Sequence, residues 1–240
     1  MDRRVEEIIE KSSSVVFFGG AGVSTESNIP DFRSESGLYY AKEKYGYAPE
    51  EILSHTFFMN KTQAFFEYYR SNMIYPLARP NPAHHALATL EARGKLRAVV
   101  TQNIDGLHSL AGSKVVHELH GSVHRNTCMT CGTAYNLDYV IHYPETIPLC
   151  EGCGGIVKPD VVLYEESLKD EVVQSAILAI ANADTLIVGG TSLVVYPAAG
   201  LLHYFKGDEL ILINKTPTEF DHRGTLVLYE SIGKVLGYQE

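Results

Sequence analysis

Short apolar runs recur along the chain, each too brief for a helix and most of them closing on glycine or polar residues. They are Val15–Phe18, Arg97–Thr101, Val115–Leu119, Thr185–Val188, Leu210–Ile213 and Leu226–Leu228. Runs of four to six residues rich in Val, Ile and Leu, without polar alternation, read as strands buried on both faces. Between them the spacing turns helical. Val5, Ile8 and Ile9 after Asp2 predict an amphipathic helix over residues 2–12. Asn81-Pro82 opens a second helix, which Gly94 closes, with Ala86, Leu87 and Leu90 facing inward. Asp170 caps a third, with Val172, Val173, Ala176, Ile177 and Ile180 on one stripe. Strands alternating with helices predict an α/β protein with a parallel, doubly wound sheet.

Two stretches break that rhythm. Residues 35–79 are rich in Tyr and Phe and divide into short helices around Pro49 and Pro76. They read as a helical insertion whose Phe57, Phe58, Phe65 and Phe66 are core. Residues 122–157 are polar and turn-rich, after which Val161–Leu163 is extended.

All four cysteines fall in the second stretch, as Cys128-x2-Cys131 and Cys150-x2-Cys153 with 18 residues between the pairs. Two short chelating turns at this spacing fit a zinc ribbon; the alternatives are two disulfides or four unrelated thiols. Four thiolates leave no open position for water, so the metal is expected to be structural. Residues 128–153 contain no Lys or Arg, which disfavours a zinc ribbon that binds nucleic acid.

Composition narrows the class further. In 240 residues, 45% are hydrophobic, enough for one large domain with a smaller one. No apolar run reaches the ~18–20 residues of a membrane span, and Met1–Glu7 lacks the apolar region of a secretory signal, so a cytoplasmic location is expected. The net charge of −9 argues against nucleic-acid backbones as partners and suits basic, lysine-bearing protein segments.

Chemistry-bearing residues gather where strands end. Val15–Phe18 runs into Gly19-Gly20-Ala21-Gly22-Val23-Ser24-Thr25. Gly20 and Gly22 would let backbone approach a pyrophosphate, with Ser24 and Thr25 adding hydroxyls. The dehydrogenase fingerprint G-x-G-x-x-G would need glycine where Thr25 stands, which points to a dinucleotide site of another kind. The next strand ends in Gln102-Asn103-Ile104-Asp105, polar groups able to hold a ribose or a carboxamide. His120-Gly121 follows the strand 115–119 and suits a general base near neutral pH. His124 reads as a linker histidine beside the metal module. Gly190-Thr191-Ser192 and Asn214 end two further strands and could meet the other half of a dinucleotide.

Taken together with Ile29-Pro30-Asp31-Phe32-Arg33 and Lys158-Pro159-Asp160-Val161-Val162, these stretches resemble, over nearly all the chain, the sirtuin family of NAD-dependent protein deacylases, bacterial type. The resemblance implies a Rossmann-like domain (1–34, 80–121 and 158–240) and a smaller domain made of the helical insertion (35–79) and the zinc-ribbon module (122–157). It places Ala21, Thr25, Phe32 and Arg33 on NAD, and Gln102, Asn103, Ile104 and Asp105 around the nicotinamide and its ribose. Thr191, Ser192 and Asn214 fall to the adenosine half, with Ile232 near the adenine. His120 becomes the general base, with Asn103 beside it in the catalytic set. An extended acyl-lysine peptide would pair with backbone around Val161, Leu163, Tyr164 and Glu165. The implied reaction passes the acyl group to ADP-ribose, releasing nicotinamide, free lysine and O-acyl-ADP-ribose.

The chain departs from the family pattern in three places. Asn28 stands for the glycine before Ile-Pro-Asp-Phe-Arg, and Asn tolerates a left-handed backbone. Glu165 replaces the glycine before Glu166, within the substrate-pairing segment. The Tyr-x-x-Arg pair of members that remove acidic acyl groups is missing, Tyr68, Tyr69 and Arg70 being wrongly spaced, which favours acetyl or another uncharged group. Two other readings remain, an NAD-dependent ADP-ribosyltransferase and a non-catalytic NAD- or zinc-binding interaction module.

Overall fold

The computed structural model describes residues 1–31 and 42–237. A six-stranded sheet forms its centre. The strands are β1 (Val15–Gly19), β2 (Leu96–Thr101), β3 (Val116–Glu118), β7 (Thr185–Gly189), β8 (Glu209–Ile213) and β9 (Leu226–Leu228). Every pairing among them is parallel, in the order β3-β2-β1-β7-β8-β9. The predicted doubly wound sheet is present, and its order reverses between β1 and β7.

All five residues of β1 and of β7 are buried, which explains their unbroken apolar pattern. Successive side chains point to opposite faces. Val15 and Phe17 enter a core shared with α1 (Arg3–Lys11), α5 (Pro82–Ala92) and α9 (Ile232–Leu236). Val16 and Phe18 enter the opposite core, shared with α8 (Asp170–Ala181) and the 3-10 segment Ala198–Tyr204. Asn81 caps α5 as predicted, and its side-chain amide also donates to Val23 O and Ser27 Oγ, tying the helix to the loop after β1.

A second, antiparallel sheet has the order β5-β4-β6, from β4 (Gly121–Cys128), β5 (Ala134–Asn136) and β6 (Val157–Val161). Residues 158–161, grouped above with the large domain, thus belong to the small sheet. The cause is long-range pairing with β4, which local pattern does not record. At Gly121 the two strands touch: a Cβ there would lie 1.9 Å from Asp160 O, and φ is 76°. The helical segment supplies α2 (Pro49–Ile52), α3 (His55–Asn60) and α4 (Thr62–Asn72). Phe57, Phe58, Phe65 and Phe66 are core, as expected, and pack with Val123, Leu137, Val161 and Leu163 of the small lobe. Two further short helices are α6 (Leu107–Ala111) and α7 (Leu137–His142). Among the described residues, no helix is long and apolar enough to cross a membrane.

Candidate active site

Ligands in open α/β sheets bind beyond the carboxyl ends of strands at the point where strand order reverses. Here that point lies between Gly19-Gly20 after β1 and Gly189-Gly190 after β7. A cleft of about 330 Å³ opens there, between the large sheet and the smaller lobe. Its lining includes Gly20, Ala21, Ser24, Gln102, Asn103, Ile104, Asp105, His120, Thr191 and Ser192 from the strand ends. From the opposite wall come Leu53, Tyr69, Val123, Leu137, Val161, Leu163, Tyr164 and Glu165.

The glycines do more than admit a ligand. A Cβ on Gly22 would sit 2.7 Å from Gly190 Cα, and one on Gly190 would sit 2.4 Å from Val23 N. The two turns therefore pack backbone on backbone, with Gly22 N–H donating to Gly190 O at 2.8 Å. Gly20 lines the cleft, while Gly22 serves this closure. Gln102 Nε2 donates to Thr191 Oγ1 at 3.2 Å, and Asn214 Nδ2 donates to Thr191 O at 3.2 Å, so Thr191 is held from both sides.

His120 lies in the turn between β3 and β4; the strand read as 115–119 forms only over 116–118. Its Nδ1 is 3.0 Å from Gln102 O. A carbonyl only accepts, so Nδ1 carries the proton and Nε2 carries the acceptor lone pair. Asp105 is fixed through both oxygens: Oδ1 accepts from Leu107 N–H at 2.9 Å and Oδ2 from the Ser24 hydroxyl at 2.7 Å. Asn103 Nδ2 donates to the same Ser24 oxygen at 3.0 Å. Burial pushes the Asp105 carboxyl up, against the hydrogen bonds and the nearby His124, which lower it. His124 is a wall residue of the cleft and not a linker. Its Nε2 donates to Asp105 O at 3.0 Å, and its ring covers Gly106, where a Cβ would come within 2.7 Å of it. Sequence reasoning missed it because Asp105 and His124 lie 19 positions apart, beyond the reach of local pattern.

Behind this wall two imidazoles meet, His84 and His108, with ring centroids 4.7 Å apart. Both are buried, and burial pushes them down to about 4 and about 3. Neither ring nitrogen of His108 has a hydrogen-bond partner among the described residues.

On the opposite wall the chain after β6 is pinned at several points. Val162 N–H donates to His120 O at 2.9 Å, Tyr164 N–H to Leu53 O at 2.9 Å and Leu163 N–H to Glu166 Oε2 at 2.9 Å. Glu166 also meets Lys158 Nζ at 3.2 Å and His55 Nδ1 at 3.0 Å. These partners lie up to 111 positions apart, and the motif Lys158-Pro159-Asp160 does not reveal them. Asn28 holds φ 62°, the left-handed conformation expected of it.

At the far end of β4 the four cysteine sulfurs lie within 4.8 Å of one another. Cys128 and Cys153 are 3.5 Å apart, Cys131 and Cys150 3.6 Å, and all four are free. Disulfides are excluded by those separations, whereas tetrahedral zinc with ~2.3 Å bonds to sulfur needs edges of about 3.8 Å. The Tyr135 hydroxyl donates to Cys150 Sγ at 3.1 Å, an outer-shell contact of the kind that orients thiolates. The donor set fits a structural zinc.

Besides Gly22, three expected residues are not among those lining the cleft. Thr25 Oγ1 donates to Gly22 O at 3.0 Å, Asn214 supports Thr191 from behind, and Ile232 is buried in the core beneath Gly189. Phe32 and Arg33 lie outside the described residues.

Residues 20–197 match the Sir2 family. An NAD-dependent protein deacetylase of Clostridium acetobutylicum is 65% identical over 232 residues, covering 97% of this chain and 95% of that protein. One from Clostridium tetani is 59% identical over 239 residues, covering 99% and 97%. A solved structure of Sir2 with a deacetylated p53 peptide and 3'-O-acetyl ADP ribose superposes with a TM-score of 0.89 at 36% identity, over 98% of this chain and 96% of that one. Sir2Tm bound to a propionylated peptide superposes with a TM-score of 0.86 at 34% identity, over 98% and 94%.

Proposed function

This chain belongs to the Sir2 family, and from that premise we propose how its own residues carry out the reaction. The protein is an NAD-dependent protein deacetylase acting on acetylated peptide segments. NAD, when bound, supplies a ribose carbon that takes the acyl oxygen as nicotinamide departs. The cleft fits it: glycine backbone at Gly20, hydroxyls at Ser24, Thr191 and Ser192, amides at Gln102 and Asn103, and a half-buried carboxylate at Asp105. Asp105 and Ile104 would hold the carboxamide, since a carboxylate accepts amide N–H. Gln102 and Asn103 would hold the adjoining ribose, and Thr191 and Ser192 the adenosine half, with Asn214 fixing Thr191. The apolar wall of Val123, Val161 and Leu163 would exclude water around the acyl-lysine stem.

The His120 Nε2 lone pair would take a proton from a ribose hydroxyl of bound NAD. The observation that carries this role is its Nδ1–H to Gln102 O hydrogen bond, which sets the tautomer with Nε2 as acceptor. We also take the helical segment and the small sheet as one smaller domain, supported by the aromatic cluster they share. A cytoplasmic setting is supported by four cysteines that are all free thiols.

The test is His120→Ala, assayed with NAD and an acetylated peptide. Deacetylation should fall ~10²–10⁴-fold, with NAD affinity by titration largely kept. A rate within a few-fold of wild type overturns the assignment. Products resolved by mass should show O-acetyl-ADP-ribose; ADP-ribose attached to protein would favour the transferase reading instead.

A further inference from the structure

Glu165 sits with φ at 74°, a conformation that favours glycine and that residues with a Cβ seldom adopt. Its side chain helps hold the turn there: Oε2 accepts from the Thr56 N–H of α3 at 2.8 Å. It is exposed and lines the cleft. The neighbouring carboxylate behaves differently. Glu166 is half-buried and its charge is met by Lys158 and His55. Glu165 makes no such ion pair among the described residues. Of two adjacent carboxylates, one is paired within the wall, while the other bonds the Thr56 N–H with His55 nearby and stays exposed at the cleft.

The segment beside it is the one an extended substrate would follow. Its Val162, Leu163 and Tyr164 N–H groups are already engaged within the chain. Three N–H groups of the segment are thus used within the chain, and the Glu165 side chain stands at its end. A residue kept in a strained conformation at a binding surface invites a functional explanation.

We propose that Glu165 is a specificity-determining residue that favours peptides carrying Lys or Arg within two positions of the acylated lysine. The inference rests on the deacetylase reading of the cleft. Because the carboxylate is exposed, the preference is modest and screened by salt. The effect falls on peptide capture, as it does for charges at the rim of an interface.

The experiment compares acetyl-lysine peptides with Arg, Ala or Glu at those flanking positions. For each variant the readout is the ratio of kcat/KM for Arg-flanked over Glu-flanked peptide, so a change in the amount of folded protein cancels. Binding of the same peptides is followed by fluorescence anisotropy. Wild type should favour the Arg peptide roughly three- to fivefold at low ionic strength, and less at high salt. Glu165→Gln keeps an acceptor for Thr56 N–H but removes the charge, and should bring the ratio close to one. Glu165→Lys should invert it. An unchanged ratio in Glu165→Gln overturns the proposal, whatever happens to overall rate. If no peptide were deacetylated while anisotropy still showed charge-dependent binding lost in Glu165→Gln, the activity reading would fail and the role of Glu165 would stand.

Discussion

The two lobes that meet at the cleft are held together by different physics. The large lobe buries both faces of a parallel sheet, and β1 and β7 have no exposed residue. The cysteine end of the small lobe has a buried cluster of only Cys128, Val140, Cys150 and Val157, with Tyr135 and Tyr139 half-buried against it. Leu149, one of its few large apolar residues, is 38% exposed. So small a core does not offset the entropy of the ordered chain, and four thiolates around a metal make up the difference. Burial and coordination are thus alternative ways to order a chain, and they should fail separately.

The sharpest way to separate them is to remove the metal. Binding of a structural zinc contributes about 10 kcal/mol or more to folding. Cys131→Ala, or a strong chelator, should therefore disorder residues around 128–157 while amide protection persists in β1 and β7. Hydrogen exchange with metal analysis checks this. Unchanged protection around the cysteines in metal-free protein would dissolve the distinction.

The reverse experiment strikes the sheet. Phe18 is fully buried between β1's neighbours and α8, and Phe18→Ala should cost about 3–5 kcal/mol. The denaturant midpoint should fall for the whole large lobe, with metal content per folded chain unchanged. If the metal were lost in parallel, the lobes would be one cooperative unit.

A third effect, the smallest near neutrality, is graded by pH. His84 and His108 have folded-state values pushed below the ordinary 6.5, to about 4 and about 3. The unfolded chain therefore takes up protons first as pH falls. Stability from these groups is complete above about 6.5 and is lost downward, by roughly 1.4 kcal/mol per pH unit for each histidine, until the folded values are reached. His108→Phe should flatten that slope in the large lobe. A melting curve with the same pH dependence in the variant would show that other groups set it.

Much of this arrangement is legible in the sequence because its signals are local. A strand that runs into Gly20-Ala21-Gly22, a Gln102–Asp105 segment at the next strand end, and paired cysteines each announce themselves within a few residues. Asn28 and its left-handed turn were foreseeable for the same reason. What escaped needs contact across the chain. Gly22 faces Gly190, the His124 ring lies on Gly106, and β6 pairs with β4, which puts Lys158–Val161 in the small sheet. Ile232 packs in the core against Gly189, a contact 43 positions apart that no local pattern records.

β4 can be regarded as a beam on two supports. One end begins directly after His120, and the other ends at Cys128 in the thiolate cluster, eight residues or roughly 26 Å away. Between them β4 carries the His124 ring on one wall of the cleft and Val123 in the aromatic core. A beam freed at its far support no longer holds its near end in register. A metal held by the cysteines would then act at a distance on the cleft, as the foundation of a lever arm whose tip is the His120 imidazole.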